Sequence, residues 1–500
     1  MSLITSILAL FTALIALAHL FKPKKESGTT EAPGPRPWPI VGNLPYIGKF
    51  HDLIEAFKNL KQEYGSVASI KLGVHNAVVI CGLSNFREVL IEKGNLFDAR
   101  AAFKRYDLLF GGDKNNSLAF ADGSDSHSKH RNAIAFHTFA KNGSNNFENL
   151  ENITSQHVYS LVENMKSQLQ SDQKLDAKFL FAETIATIFV KYFTNQDVDP
   201  CDEVFQNMIS SFDAVFQEVN EGCIGDVLPF LMPFINKSEF VELTRKVRAF
   251  SNQCFDPVIR QRVGGEVLDQ NNNKQKIQPV KESNVINDLL ETVENNPEMT
   301  LEHVIFAFED IIGGHSAVSN SLIRIILELA KNPEVQKNIR EEIREHAAGF
   351  PTMSDRLTYL EASIWEAFRF ISSPIVPHVA TQDTTINDYT VKKDTVVFFN
   401  NLDMNFSPEL WESPDKFLPE RFITSDGRIS KPDYFLPFSS GKRSCLGYKM
   451  AINVTKVILA NLLQNFEIEI DPSSNYTMER GVIAVGKNKS LPFVYKPVVE

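Results

Sequence analysis

Cysteine is scarce in this chain of 500 residues, and its placement excludes several chemistries. The five cysteines, Cys81, Cys201, Cys223, Cys254 and Cys445, are odd in number and widely scattered. None stands in a C-x-x-C or C-x-x-H pair, so the spacing supports neither a disulfide framework nor a zinc site, and a reducing compartment follows. No G-x-G-x-x-G run occurs, which removes the dinucleotide fingerprint; electrons for any redox chemistry must come from outside the chain. Net positive charge is missing as well. The formal charge of −11 argues against a general nucleic-acid binder, while leaving room for a local basic face. There is no internal repeat, and the one low-complexity stretch, 264–283, reads as a solvated loop between helices. What is present is 43% hydrophobic and 23% charged residues, the balance of a globular protein with a large core.

Asp, Glu, Lys and Arg are all absent from Leu3 to Phe21, a run of 19 residues that meets the length of a membrane-spanning helix. No basic segment precedes it and no small-x-small cleavage site clearly follows, which sets a signal peptide aside. Lys22, Lys24 and Lys25 come next and hold the rest of the chain in the cytosol. Pro33-Gly-Pro-Arg-Pro-Trp-Pro39 is a stiff, extended hinge that cannot continue a helix. The expected organisation is an anchor at 1–21, a basic and proline-rich hinge at 22–45, and a catalytic body at 46–500. A cytosolic body never meets the glycosylation machinery, so the sequons at Asn142 and Asn152 are read as chance.

Val67 to Leu72 and Ala77 to Cys81 are β-branched runs around Gly73, a hairpin signal. From about Ser84 to Phe370 the pattern is mostly helical, and from Pro374 to Asn400 short alternating strands replace it. Helices segregated from a small sheet predict a mainly α fold with a minor β region. The longest helix is expected over Leu301 to Lys331, with Thr300 as N-cap and Asn332-Pro333 closing it. Its length is roughly 46 Å, enough to cross a domain. Gly313-Gly314 fall in mid-helix, where each costs about 1 kcal/mol relative to Ala. They mark a close approach of the backbone to a cofactor face and small ligand, or to another helix.

Near the C-terminus, Phe438-Ser-Ser-Gly441-Lys-Arg443-Ser-Cys445-Leu-Gly447 places one cysteine in a glycine-bracketed loop before an apolar, helix-prone run. A thiolate near a helix N-terminus is stabilised by free N–H groups and the helix dipole, and so can ligate a metal; Arg443 can neutralise an acidic group of a bound cofactor. The pattern F-x-x-G-x-R-x-C-x-G resembles the heme-thiolate signature of the cytochrome P450 family, with Cys445 as axial ligand of heme b. Upstream, Glu366-Ala-Phe-Arg369 and Pro419-Glu-Arg421-Phe422 resemble that family's E-x-x-R helix and P-E-R-F segment, which implies a buried ion triad of Glu366, Arg369 and Arg421. The resemblance runs from anchor to cysteine loop and implies the cytochrome P450 fold as one large domain. It is strongest to the microsomal group that includes steroid hydroxylases. By family position, Arg100, His127, Arg131, His378 and Arg443 are expected at the two heme carboxylates. His127 stands where the family has tryptophan, and is expected to donate one N–H there.

The distal helix departs from the family. Its usual A/G-G-x-acid-Thr-Thr reads Gly313-Gly314-His315-Ser316-Ala317-Val318, so serine replaces the acid and alanine the alcohol. Three readings stay open: Ser316 with ordered water or a substrate hydroxyl replaces the proton relay; the enzyme works with an oxidant that needs fewer protons; or it rearranges an already oxygenated substrate. His315 either assists protons or is structural. The stretch Phe308 to Asn320 resembles the arthropod spook type, which implies a 7-dehydrocholesterol-like sterol in ecdysteroid hormone biosynthesis. The expected substrate lining is Tyr106 to Phe110, Phe306 to Ala317, Ile375-Val376 and Val482-Ile483. The implied activity is a monooxygenase of the endoplasmic reticulum membrane using dioxygen. Its electrons would come from an NADPH-dependent flavoprotein reductase, with cytochrome b5 as a further partner, and a basic patch of Lys129, His130, Arg131, Lys442 and Lys449 is expected to attract the reductase. The rivals are a heme-thiolate isomerase or dehydratase needing no external electrons, and a non-enzymatic heme sensor.

Overall fold

The computed structural model describes residues 30–498, apart from 140, 171–174, 236, 264–265, 269–273, 277–284, 348, 474–479, 486–490 and 492. Among the described residues no helix is long and apolar enough to cross a membrane; the run expected as an anchor lies outside them. The 264–283 stretch is described only at 266–268 and 274–276, which pair antiparallel.

In chain order, the elements that build the site begin with β1 (Val67–Leu72) and β2 (His75–Ile80). Helices follow: α1 (Lys104–Leu109), α2 (Asp125–Thr138), α3 (Asn145–Gln170), α4 (Ala177–Thr194), α5 (Glu203–Glu221), α6 (Lys237–Val263) and α7 (Leu301–Lys331). Then come α8 (Thr358–Ile371), β3 (His378–Val379), β4 (Val396–Phe399) and α9 (Tyr448–Asn465). The mainly helical fold with minor sheets is as expected.

The main sheet has the order β1-β2-β4-β3. Strands β1 and β2 form the antiparallel hairpin, β2 and β4 run parallel, and β3 returns antiparallel to β4. The hairpin's second strand starts two residues earlier than its apolar run, at His75, because the tight turn at Gly73-Val74 pairs the polar residues His75 and Asn76 with Leu72 and Lys71 next to the turn.

Helix α7 keeps the expected bounds. Thr300 Oγ accepts from the His303 N–H, and the Thr300 N–H donates to the His303 ring, so two orphan groups of the first turn satisfy each other. Its apolar residues occupy nearly the whole circumference, and the helix is buried against α4, α5, α8 and α6. The large core lies around α3, α4, α7, α8 and α9. Between α7 and the N-terminus of α9 this packing leaves a cavity of about 1070 Å³.

Candidate functional site: a thiol, a cationic cluster and a distal helix

Backbone geometry presents the cysteine to the cavity. Ser439 and Gly441 take left-handed φ angles of 60° and 70°. At Gly441 a Cβ would overlap the Leu90 carbonyl, so this position demands glycine for space as well as for φ. The Cys445 N–H donates to the Phe438 carbonyl at 3.0 Å and closes the loop, and Gly447 forms the N-cap of α9. By surface area Cys445 is exposed, yet it sits deep in the protein; both hold because the surface it exposes is the cavity wall. Burial pushes the thiol above its ordinary value, opposed by the N–H groups of Gly447 and Tyr448 and by Arg131. Those opposing groups are the ones that stabilise a thiolate once a cation is bound.

Three guanidinium groups gather beside it. The Ala99–Val379 bridge sets Arg100 against β3, where its Nε donates to Ala119 O at 3.1 Å and its Nη1 to Val376 O and Pro377 O at 2.9 and 3.0 Å. Arg131 donates to the Ser444 carbonyl, and Arg443 to that of Ala121. All three line the cavity. Carboxylates are in short supply: Asp98 lies 3.6 Å from Arg443 Nε, and Asp122 is engaged by Lys114. Burial, then the neighbouring arginines, push Arg100 far below the usual arginine value; burial brings Arg443 down to about 10. His378 donates from Nδ1 to Phe97 O at 2.8 Å, while its buried Nε2 has no hydrogen-bond partner. A cationic cluster short of anions fits a ligand bearing two carboxylates, as heme b does. His378 does not line the cavity, and its neutral ring, with Nδ1–H spent on Phe97, presents only a lone pair at Nε2 and would donate to a carboxylate only after taking up a proton.

His127 differs from expectation. Its Nε2–H is spent on the Leu118 carbonyl at 3.0 Å, which leaves Nδ1 to accept from Arg443 Nη1 at 3.1 Å. Burial, reinforced by three arginines, lowers its pKa to about 4, so the ring is neutral and has no N–H left for a carboxylate. It holds Arg443 in place.

The distal side corrects the sequence reading more deeply. Gly313, Gly314, Ala317 and Val318 face the cavity, whereas His315 and Ser316 do not line it. His315 is fully buried, bonds through Nδ1 to Ile312 O at 2.7 Å and meets Phe212 of α5 edge-on. Burial lowers its pKa to about 4. Ser316 Oγ has only a long 3.4 Å contact to His315 Nε2. At 100° per residue, 315 and 316 fall on the helix face opposite 310, 314 and 317. At Gly313 the close neighbour is the Phe212 ring, 2.6 Å from where a Cβ would stand, so helix packing explains that glycine; Gly314 meets only Phe189, at 3.7 Å.

An acid on the cavity face was missed. Asp310, one turn before Gly314, lines the cavity and accepts from Ser117 Oγ at 2.8 Å and from the Leu118 N–H at 2.6 Å. Burial pushes its pKa up to about 7 against those donors. The signal was the acidic pair Glu309-Asp310 inside an otherwise apolar helix. Of the segments expected to line a substrate, Tyr106, Phe110, Phe306, Ile375, Val376, Val482 and Ile483 face the cavity, whereas Ala307, Phe308 and Ile312 turn away from it together with His315 and Ser316.

The ion triad is as expected. Arg369 Nε and Nη2 each donate to Glu366 at 2.8 Å, with both side chains fully buried. Arg421 Nε reaches the same carboxylate at 3.1 Å. Arg369 also donates to the carbonyls of Asn405 and Lys416, tying α8 to the loops that lead into the cysteine segment. In the basic patch His130 drops out: it is buried, and burial lowers its pKa to about 4, so it carries no charge at neutral pH. Arg131 faces the cavity instead of solvent.

The family model for cytochrome P450 matches residues 32–492. Cytochrome P450 307a1 of Drosophila melanogaster is 32% identical over 469 residues, covering 88% of this chain and 84% of that protein. Human steroid 17-alpha-hydroxylase/17,20 lyase is 29% identical over 498 residues, covering 94% and 93%. Among solved structures, a zebra fish cytochrome P450 with progesterone superposes with a TM-score of 0.72 at 23% identity, over 89% of this chain and 99% of that one, a likeness of fold.

Proposed function

Because the chain belongs to the cytochrome P450 family of heme b monooxygenases, we propose that it oxidises a sterol, 7-dehydrocholesterol-like, in ecdysteroid hormone biosynthesis. The observation that carries this reading is the cavity itself. One lining joins Cys445 and three arginines to the apolar side chains of Tyr106, Phe110, Ile375 and Ile483, in a volume of about 1070 Å³ at the upper end of the range of about 300–1,000 Å³ usual for ligand cavities, as a cofactor and a lipophilic substrate sharing one space would need. Heme b, when bound, supplies dioxygen activation at a thiolate-ligated iron. Cys445 would provide the sulfur, and Arg100, Arg131 and Arg443 the counter-charge. The apolar lining excludes water and orients the substrate by shape, with Gly314 and Ala317 keeping the distal wall low.

The family generally uses a flavoprotein reductase. An NADPH-dependent reductase is the proposed electron donor here, with cytochrome b5 as a second partner, docking near Lys442 and Lys449. Attachment to the endoplasmic reticulum membrane is proposed as well, with 3–21 as its anchor. A face of exposed apolar side chains supports it: Trp38, Ile40, Val74, Ile224, Phe230 and Phe234. These segments adjoin, since the Val74 N–H bonds Val227 O and Gly42 bridges Leu72. Val227 and Leu72 also line the cavity, so that face is where a lipophilic substrate would enter.

A second reading, an isomerase or dehydratase, is favoured by one observation: neither His315 nor Ser316 lines the cavity, which leaves no hydroxyl or acid there at the usual relay positions. Reconstitution with reductase, NADPH, labelled dioxygen and 7-dehydrocholesterol separates the two. Label in the product is expected; an altered sterol without label, formed without NADPH, would establish the isomerase, and no conversion at all would overturn the sterol assignment.

A further inference from the structure

Five carboxylates line the cavity, and four have cationic or imidazole neighbours: Asp52 with His51, Asp226 with Arg105, and Glu302 and Glu309 with Arg248. Among the described residues Asp310 is in no ion pair, although it is buried in the wall of the cavity. Its partners are neutral donors from one short segment, Ser117 Oγ–H and the Leu118 N–H. The opposite edge of that segment carries the cationic cluster. Leu118 O accepts from His127, Ala119 O from Arg100, and Ala121 O from Arg443, whose other nitrogen rests on His127. Ser117–Ala121 is thus a strap with its donors on the distal helix and its acceptors on the cations.

We propose that Asp310 is a positioning residue for the heme-binding cations, fixing through the Ser117–Ala121 strap where Arg100, Arg443 and His127 stand. The inference rests on the heme assignment and is independent of the substrate. Neutral acceptors in this place would hold the strap less firmly, since a bond to a carboxylate is about twice as strong as one between neutral groups.

The test is the rate of heme loss from the purified ferric holoprotein, without substrate and at about pH 8.5 where the Asp310 carboxyl is ionised, to an excess of apo-globin acceptor. Asp310→Asn is expected to speed loss about tenfold and Ser117→Ala by less, in line with losing one charge-assisted hydrogen bond. Arg443→Lys alone speeds it too, and the double variant Asp310→Asn/Arg443→Lys is expected to be no faster than Arg443→Lys alone, because both act through one strap. Independent multiplication of the two effects, or a wild-type rate in Asp310→Asn, overturns the proposal. Should Asp310→Asn fold poorly, Ser117→Ala takes its place in the same cycle, since the Leu118 N–H bond survives there, and the same two outcomes decide.

Discussion

The cavity has two walls built differently, one of loops pinned by positive φ angles and a buried ion triad, the other of a single helix packed on nearly every side. On the cysteine side the geometry is written in residue types that have few alternatives. Gly441 is demanded by a positive φ and by the Leu90 carbonyl, and Arg369 sits one helical turn from Glu366 with its fork on that carboxylate. On the α7 side the extent of the helix was readable from its cap and from Asn332-Pro333, but its rotation was not. A helix that is apolar nearly all round has no sequence stripe to say which face meets the cavity. Phase there is set by neighbours distant in sequence, such as Phe212 against Gly313, and only the folded structure contains them. The consequence was specific: His315 and Ser316 attracted the chemical reading, while Asp310 passed unnoticed.

Substitutions on the two walls are expected to differ accordingly. The largest effect is expected on the cysteine side. Cys445→Ser should abolish the thiolate-type ferrous–CO band outright, and a variant that kept the band would place the axial ligand elsewhere. Next, Arg369→Ala removes both bonds of the guanidinium fork from the fully buried Glu366 carboxylate and leaves it Arg421 and the Leu418 N–H alone, a loss of up to about 3–5 kcal/mol. Heme per protein after purification should fall steeply, and normal heme content would show that the triad is dispensable.

On the distal side the charge of Asp310 gives a pH signature. Its value of about 7 in the folded protein lies above the ordinary 3.8, so the folded state holds the proton more tightly. Stability therefore falls as pH rises from about 4 to about 7, by up to about 4 kcal/mol from this group. Tm followed across that window should decline less steeply in Asp310→Asn than in wild type; identical slopes would mean the carboxyl titrates normally. The smallest effect belongs to Ser316→Ala. With one 3.4 Å contact and no cavity exposure, its loss should change turnover by less than about twofold. A tenfold drop in kcat would put Ser316 back into the relay and undo the assigned phase of α7.

The cationic cluster lies between these extremes. Its members were named from sequence by family position, yet the division of labour among them was not. Whether His127 donates to a ligand or holds Arg443 depends on Leu118 O being 3.0 Å from Nε2, a contact that no motif encodes. Likewise the shortage of carboxylates around three arginines emerges only when Asp122 is seen engaged by Lys114.

Whether Cys445 and the neighbouring cations form a heme-thiolate centre is read from the ferrous–CO difference spectrum of the purified chain. The red-shifted thiolate Soret band is expected in wild type and in Ser316→Ala, and no such band in Cys445→Ser. A wild-type protein that binds heme but shows only the band of a nitrogen-ligated or unligated iron would contradict such a centre.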